Sequence, residues 1–315
     1  MPSNHSQDQQ TDHQQSHQKT HQHTGGRFCA QHVGVAAGLG PRERLAALQL
    51  VREGLLFELD QPIQIGSPHF ERVQPPYMMS LWSRAQNVIR SVRRQGVQND
   101  PGVNLESVHM TFHVGTHIDA LGHFTIGDQM YGGQSADTLV GDLGLKGLGA
   151  ETIPSLIARG VCLDLAGLDG GDCLAAGRAI SAQDLQNVAQ AAGVRIGPGD
   201  VVLLRTGWSC HYLKDNKKYC AGEPGISLDA AQWLTGLGVI AIGSDNMAVE
   251  VIPSGQPGVL MPVHQHTLVE KGVYLIENLY LDELVRHPGT EFCFVLLPTR
   301  FKGATGSPAR PVAMV

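Results

Sequence analysis

The feature that most restricts how this chain can fold is a set of short, largely apolar runs in its second half, separated by helix-like segments. The runs cover residues 161–165, 201–206, 239–243, 273–277 and 292–297. A strand with one wet face alternates apolar and polar residues. A strand covered on both faces does not, so these runs read as central strands of a buried sheet. The turn Gly197-Pro198-Gly199-Asp200 leads into the second run. Helices are expected between the runs. One starts at Ser181, with Asp184 in capping-box position, and ends at Ala192 before Gly193. Two more cover 227–234 and 265–271, the latter closed by Gly272. The alternation predicts an α/β fold, a buried mixed sheet with flanking helices. With 315 residues, 42% of them hydrophobic, the chain can build a full core.

The ends of this pattern are less regular. Residues 1–26 are rich in Gln, His, Ser and Thr and nearly devoid of apolar side chains, so they are expected to form a disordered tail. The tail holds His5, His13, His17, His21 and His23. It reads either as a metal-scavenging segment or as a dispensable polar extension, and the second is favoured. The folded domain is expected over 27–315. A helix is expected over 41–53, with Pro at its start and Gly54 after its end. A strand follows over 55–59, stopped by Asp60-Gln61-Pro62. Residues 66–106 show little regular period and read as a surface excursion over the core.

Charge and cysteine usage exclude several classes. The formal net charge is -6, and the basic clusters reduce to Arg93-Arg94 and Lys217-Lys218, so neither nucleic acid nor an anionic membrane is an expected partner. No apolar run approaches the ~20 residues of a membrane span, and the polar N-terminus is no secretory signal. Cys29, Cys162, Cys173, Cys210, Cys220 and Cys293 show no C-x-x-C spacing. Their scatter fits free thiols in a reducing compartment, so a cytoplasmic location is expected. There is no Gly-x-Ser-x-Gly elbow and no complete phosphate- or dinucleotide-binding fingerprint.

The chemistry is concentrated in residues 107–124. His109, His113, His117, Asp119 and His123 fall within 15 residues. Imidazole and carboxylate are the usual ligands of zinc and manganese. His113, His117 and Asp119 can close on one ion if the segment bends, and Gly115 permits the bend. His117 and Asp119 share a face if that part is extended. Val114, Thr116 and Ile118 favour strand or loop over helix, and no Glu follows His113, which disfavours a helical zinc-protease motif. His109 has the parity of His113 along a strand and reads either as an outer support or as a packing residue.

The pattern His113-x-Gly115-Thr116-His117-x-Asp119-Ala120-x-x-His123-Phe124 resembles the signature of the cyclase superfamily, which includes bacterial kynurenine formamidases and isatin hydrolases. Leu204-Arg205-Thr206-Gly207-Trp208, the stretch from Gly272 to Leu279 and the stretch from Gly306 to Ala313 resemble further family segments in the same order. The resemblance implies a swivelling β/β/α domain assembled as a homodimer or homotetramer. It implies metal ligands at His113, His117, Asp119 and Glu277, with Asp119 able to bridge two ions, and proton transfer by His123. The family's late histidine falls at Gln265 here, between His264 and His266. The context Pro262-Val263-His264 selects His264, with His266 as the alternative. Leu121 stands where the family usually has Pro, which would alter the turn and the pocket wall.

One or two divalent ions, Zn2+ or Mn2+, are therefore expected per chain. The expected activity is hydrolysis of a C–N bond in a small amide, either an aryl formamide or a lactam opened in the manner of isatin. His123 is expected to titrate near working pH and to move the proton. Thr206, Trp208, Asp245, Asn246 and Glu250 are weaker pocket-lining candidates. The competing readings are a metal-binding protein without catalysis and a polyketide-type cyclase.

Overall fold

The computed structural model describes residues 32–315; the tail with its five histidines lies outside the described residues. In chain order the principal elements are α1 (Pro41–Leu48), β1 (Leu56–Glu58), β2 (Met78–Ser83), α2 (Ala85–Arg94), β3 (Leu105–His109), β4 (His117–Asp119) and β5 (Leu156–Asp164). There follow α3 (Ala182–Ala191), β6 (Val201–Arg205), α4 (Leu228–Gly236) and β7 (Ala241–Ser244). The helix α5 runs from Pro262–His264 into a π-helical stretch, Gln265–Lys271, and is followed by β8 (Tyr274–Glu277), β9 (Glu291–Leu296), β10 (Gly306–Pro308) and β11 (Val312–Met314).

Nine strands form one mixed sheet in the order β1-β11-β9-β5-β6-β7-β8-β4-β10. The centre, β5-β6-β7-β8, is parallel, and these strands carry four of the five apolar runs. Val201, Val202 and Leu203 are fully buried, as a strand covered on both faces requires. The fifth run, β9, lies antiparallel to β5. There Phe292 sits opposite Gly160, and its ring occupies the space where a Cβ at residue 160 would lie. The architecture is the α/β, swivelling β/β/α one, with helices flanking a buried sheet. The capping of α3 is as expected: Asp184 donates its N–H to Ser181 Oγ at 3.1 Å, and Ser181 donates its own to Asp184 Oδ2 at 2.9 Å. Among the described residues no helix is long and apolar enough to cross a membrane.

Two expectations are corrected. The first helix stops at Leu48 rather than Glu53. Leu50 and Val51 tighten into three-residue turns, and the N–H groups of Glu53 and Gly54 are taken by the carbonyl of Val315. Residues 66–106 lie on the surface but are regular in part. They contain β2, α2 and the start of β3, which pairs with β2 in a sheet of its own. Pro and Gly at the joints hide two short strands whose apolar residues lie uncovered, Trp82 at 82% exposure.

The strand β4 is inserted between β8 and β10 and is completely buried. Its register places His117 opposite Glu277 and Ile118 opposite Ile276. Thr116 closes the joint at this end. Its hydroxyl donates to the carbonyl of Asn278 at 2.5 Å and accepts the N–H of Gln61 at 2.7 Å. Replacing Thr116 by Val keeps the shape, strands the buried carbonyl of Asn278 and takes the partner from the half-buried N–H of Gln61. The expected cost is about 1–3 kcal/mol of stability, read as a lower denaturant midpoint at unchanged slope. An unchanged midpoint would show that the hydroxyl does not hold β4 to β8.

Candidate metal centre

Alternation along β4 sends His117 and Asp119 to one face, and cross-strand pairing adds Glu277 beside them. His113 comes from the turn before β4, where Gly115 adopts φ +67. A Cβ at Gly115 would also strike the side chain of Ile63, so space as well as conformation demands glycine there. His264 reaches the same point from the buried first turn of α5.

Each imidazole is held by its outer nitrogen. His117 donates from Nδ1 to the carbonyl of Gly115 at 2.8 Å, because a carbonyl can only accept. His117 Nε2 therefore faces inward, 3.1 Å from Glu277 Oε2 and 3.4 Å from Asp119 Oδ1. His264 Nδ1 lies 2.6 Å from Glu250 Oε1, and its Nε2 lies 3.1 Å from Glu277 Oε1 and 3.7 Å from Asp119 Oδ2. His113 places Nε2 2.9 Å from Thr305 Oγ1 and Nδ1 2.9 Å from Asp119 Oδ1. Despite these short approaches, His117 Nε2 and both oxygens of Asp119 are buried without a hydrogen bond. The contacts are attractive but misdirected: the lone pairs converge on a common space rather than on one another. Buried polar atoms are almost always satisfied, and a cation is the partner that such a donor set fits.

The electrostatics agree. Burial alone would lower the pKa of His117, but Asp119 and Glu277 outweigh it and raise it to about 10. Burial likewise opposes, and Glu250 and Glu277 overcome it, to raise His264 to about 10. Burial pushes Asp119 up, and the imidazoles gathered around it more than offset this and hold it well below its ordinary value. Three buried carboxylates thus demand positive charge. Protons on the imidazoles supply it in one state, and a divalent ion would replace them in another.

His123 is half-buried beside the cluster, its ring stacked on that of His113 with centroids 4.0 Å apart. Burial pulls its pKa below the ordinary value, so it is neutral at neutral pH rather than poised to titrate there. Phe124 flanks it and lies 4.9 Å from the ring of His264. The donor atoms form two overlapping triplets, His113-His117-Asp119 and Asp119-His123-His264, with all atoms of a triplet within 4.8 Å of one another. Asp119 belongs to both.

The remaining candidates lie elsewhere. His266 faces Glu270 at 2.8 Å and Thr235 at 2.9 Å, away from the cluster. His109 is exposed at the end of β3 and supports nothing in the cluster. Asp245 accepts hydrogen bonds from Thr206 and Gly207, and Asn246 from Val249, so both order turns. Leu121 enters the core instead of forming a pocket wall. Glu250 proves more than a lining residue: it also accepts the N–H groups of Val263 and His264, fixing the start of α5. No spacing rule singles it out, because its partnership with His264 is a tertiary contact.

The chain is similar in sequence and in fold to known proteins. Residues 57–251 match the family described as "Putative cyclase". A kynurenine formamidase of Bacillus mycoides (strain KBAB4) is 26% identical over 215 residues, 68% of this chain and 82% of that protein. A crystal structure described as a novel cyclase superimposes with a TM-score of 0.80 at 25% identity, covering 90% of this chain and 94% of the other. Isatin hydrolase A from Ralstonia solanacearum has the same fold, with a TM-score of 0.61 at 21% identity over 85% of this chain and 93% of that one. The match takes in the histidine–aspartate segment and the strands β5, β6 and β7, and it extends over more than half the chain: this protein belongs to the cyclase family.

Proposed function

We propose that this protein is a metal-dependent hydrolase that cleaves the C–N bond of an aryl formamide or a cyclic amide. The observation that carries the reading is the set of buried, unpaired donor atoms on His117 and Asp119, ringed by His113, His264 and Glu277. These five residues would hold the ion, Zn2+ or Mn2+, and the sharing of Asp119 between two triplets accommodates one ion or two. Bound there, the ion would supply a Lewis acid for the carbonyl and bring the pKa of water towards neutrality.

The chain's own residues account for the remaining steps. Gly115 and Glu250 orient the rings of His117 and His264, which lowers the reorganisation needed at the moment of reaction. His123, neutral and within the triplet that shares Asp119, accepts the proton of the attacking water and returns it to the departing nitrogen as the C–N bond breaks. Phe124 presents an apolar ring beside His123, a surface suited to an aryl substrate. The 26% identical kynurenine formamidase supports the formamide reading, and the shared fold of isatin hydrolase keeps the lactam in view.

Assay on N-formylkynurenine and on isatin separates the two substrates. Activity should vanish on chelation and return with Zn2+ or Mn2+. His123→Ala should lower kcat by roughly 10²–10⁴ while elemental analysis still finds the ion, whereas Glu277→Gln should lose ion and activity together. Full activity in His123→Ala removes that residue from proton transfer, and hydrolysis indifferent to chelation removes the metal. Glu250→Gln should weaken ion binding by about 10–100-fold with circular dichroism unchanged; an unaltered affinity would reduce Glu250 to a helix-start residue.

The expected homodimer or homotetramer belongs to the same reading. A lone two-stranded sheet is marginal in water. The β2–β3 pair nevertheless exposes Met79, Leu81, Trp82, Leu105 and Val108, which a second copy would cover. Light scattering should give a dimer mass or a multiple of it, reduced by Leu81→Glu with Trp82→Glu. A monomeric wild type would overturn the assignment.

A further inference from the structure

Three groups of histidine, cysteine and acidic side chains among the described residues bring their donor atoms within 4.8 Å of one another, and two of them form the centre described above. The third, Cys173, Cys210 and His211, shares no residue with it. We propose that this trio is a second metal site, taking a zinc-class divalent ion through two thiolates and one imidazole.

The trio is assembled from two segments locked together by the backbone. Leu174 donates its N–H to the carbonyl of Thr206 at 3.0 Å, beside Cys173. Gly207, at φ +81, lies so close beneath Asp172 and Cys173 that a Cβ would fall 2.2 Å from the carbonyl oxygen of Asp172. This contact brings the 172–174 strip onto the single turn Trp208–His211 that carries the other two donors. That turn is fixed in its own right. Asp245 accepts the N–H groups of Thr206 and Gly207, Cys210 donates its N–H to Gly207, and Trp208 packs edge-on against His211 at 4.7 Å. The donors are therefore positioned by the fold and not by flexible side chains on a loop.

The chemistry selects the ion. Zinc–sulfur bonds of ~2.3 Å and zinc–nitrogen bonds of ~2.0 Å set tetrahedral edges of about 3.5–3.8 Å, so the trio closes on an ion with shifts of about an ångström. Paired thiolates favour a soft or borderline ion over the hard ions that carboxylates prefer. All three residues are half-buried, which leaves a fourth position towards water. Binding would release the two thiol protons, so affinity should rise with pH.

Co2+ is the probe, because thiolate ligation gives a near-ultraviolet charge-transfer band that the nitrogen and oxygen donors of the first centre cannot produce. Reduced full-length protein under anaerobic conditions should develop this band on titration with Co2+, and Zn2+ should bleach it. The combination of Cys173→Ser with Cys210→Ser should abolish the band. The readout does not depend on hydrolysis, so it stands whether or not the proposed activity does. Absence of the band, or its survival in the double variant, overturns the proposal. Should that variant fold poorly, the wild type decides: Zn2+ should slow alkylation of Cys173 and Cys210 by about tenfold or more and leave Cys220 unaffected. Equal alkylation with and without Zn2+ also overturns it.

Discussion

The antiparallel pairing of β4 with β8 is the interaction on which the rest of the site depends. It sets His117 opposite Glu277 on neighbouring strands, although 160 residues of chain separate them, and it does so in a register that a slip of one residue would destroy. Because β4 is three residues long, its own ladder is a weak clamp. Burial of Ile118, the hydroxyl of Thr116 bridging to Asn278, and the second pairing with β10 hold it in place.

The cost of gathering three carboxylates in the interior is the counterpart of that geometry. Buried like charges are unfavourable unless a cation accompanies them. Here four imidazoles converge on the acids, and the two most deeply held, His117 and His264, are drawn towards the protonated form. The same field that raises their pKa favours a divalent ion. The misdirected contacts of Asp119 distinguish this cluster from an ordinary salt-bridge network such as Arg159 with Asp200, where donor and acceptor meet directly. His123 differs from His117 and His264 in being only half-buried and in having its pKa pulled down rather than up.

Around this centre the chain is organised in tiers. Gly115 and Glu250 hold the rings of His117 and His264. Behind them, Tyr219 donates to Asn278 at 2.8 Å, tying the residue after Glu277 to the aromatic cluster of Trp208, Tyr212 and Tyr219. The Cys173-Cys210-His211 trio borders that cluster, since Cys173 packs against it. An ion there would brace the turn that supports the first centre from outside.

Much of this was readable from residue order. The apolar runs specified buried strands because a covered strand has no polar face to show. Ser181 and Asp184 specified a helix start because their hydrogen bonds span three residues. His113, His117 and Asp119 announced a cluster because strand alternation and one glycine bend are local rules. Partners far apart in sequence were decided by the tertiary fold. Glu250 became the support of His264, and His264 rather than His266 faced the cluster, through the way α5 packs. Cysteines without a motif spacing, 173 and 210, met because a glycine let two strips of backbone touch. Sequence determines what is enforced over a few bonds; which distant side chains share one cavity depends on sheet order and register, and these emerge only when the whole core packs.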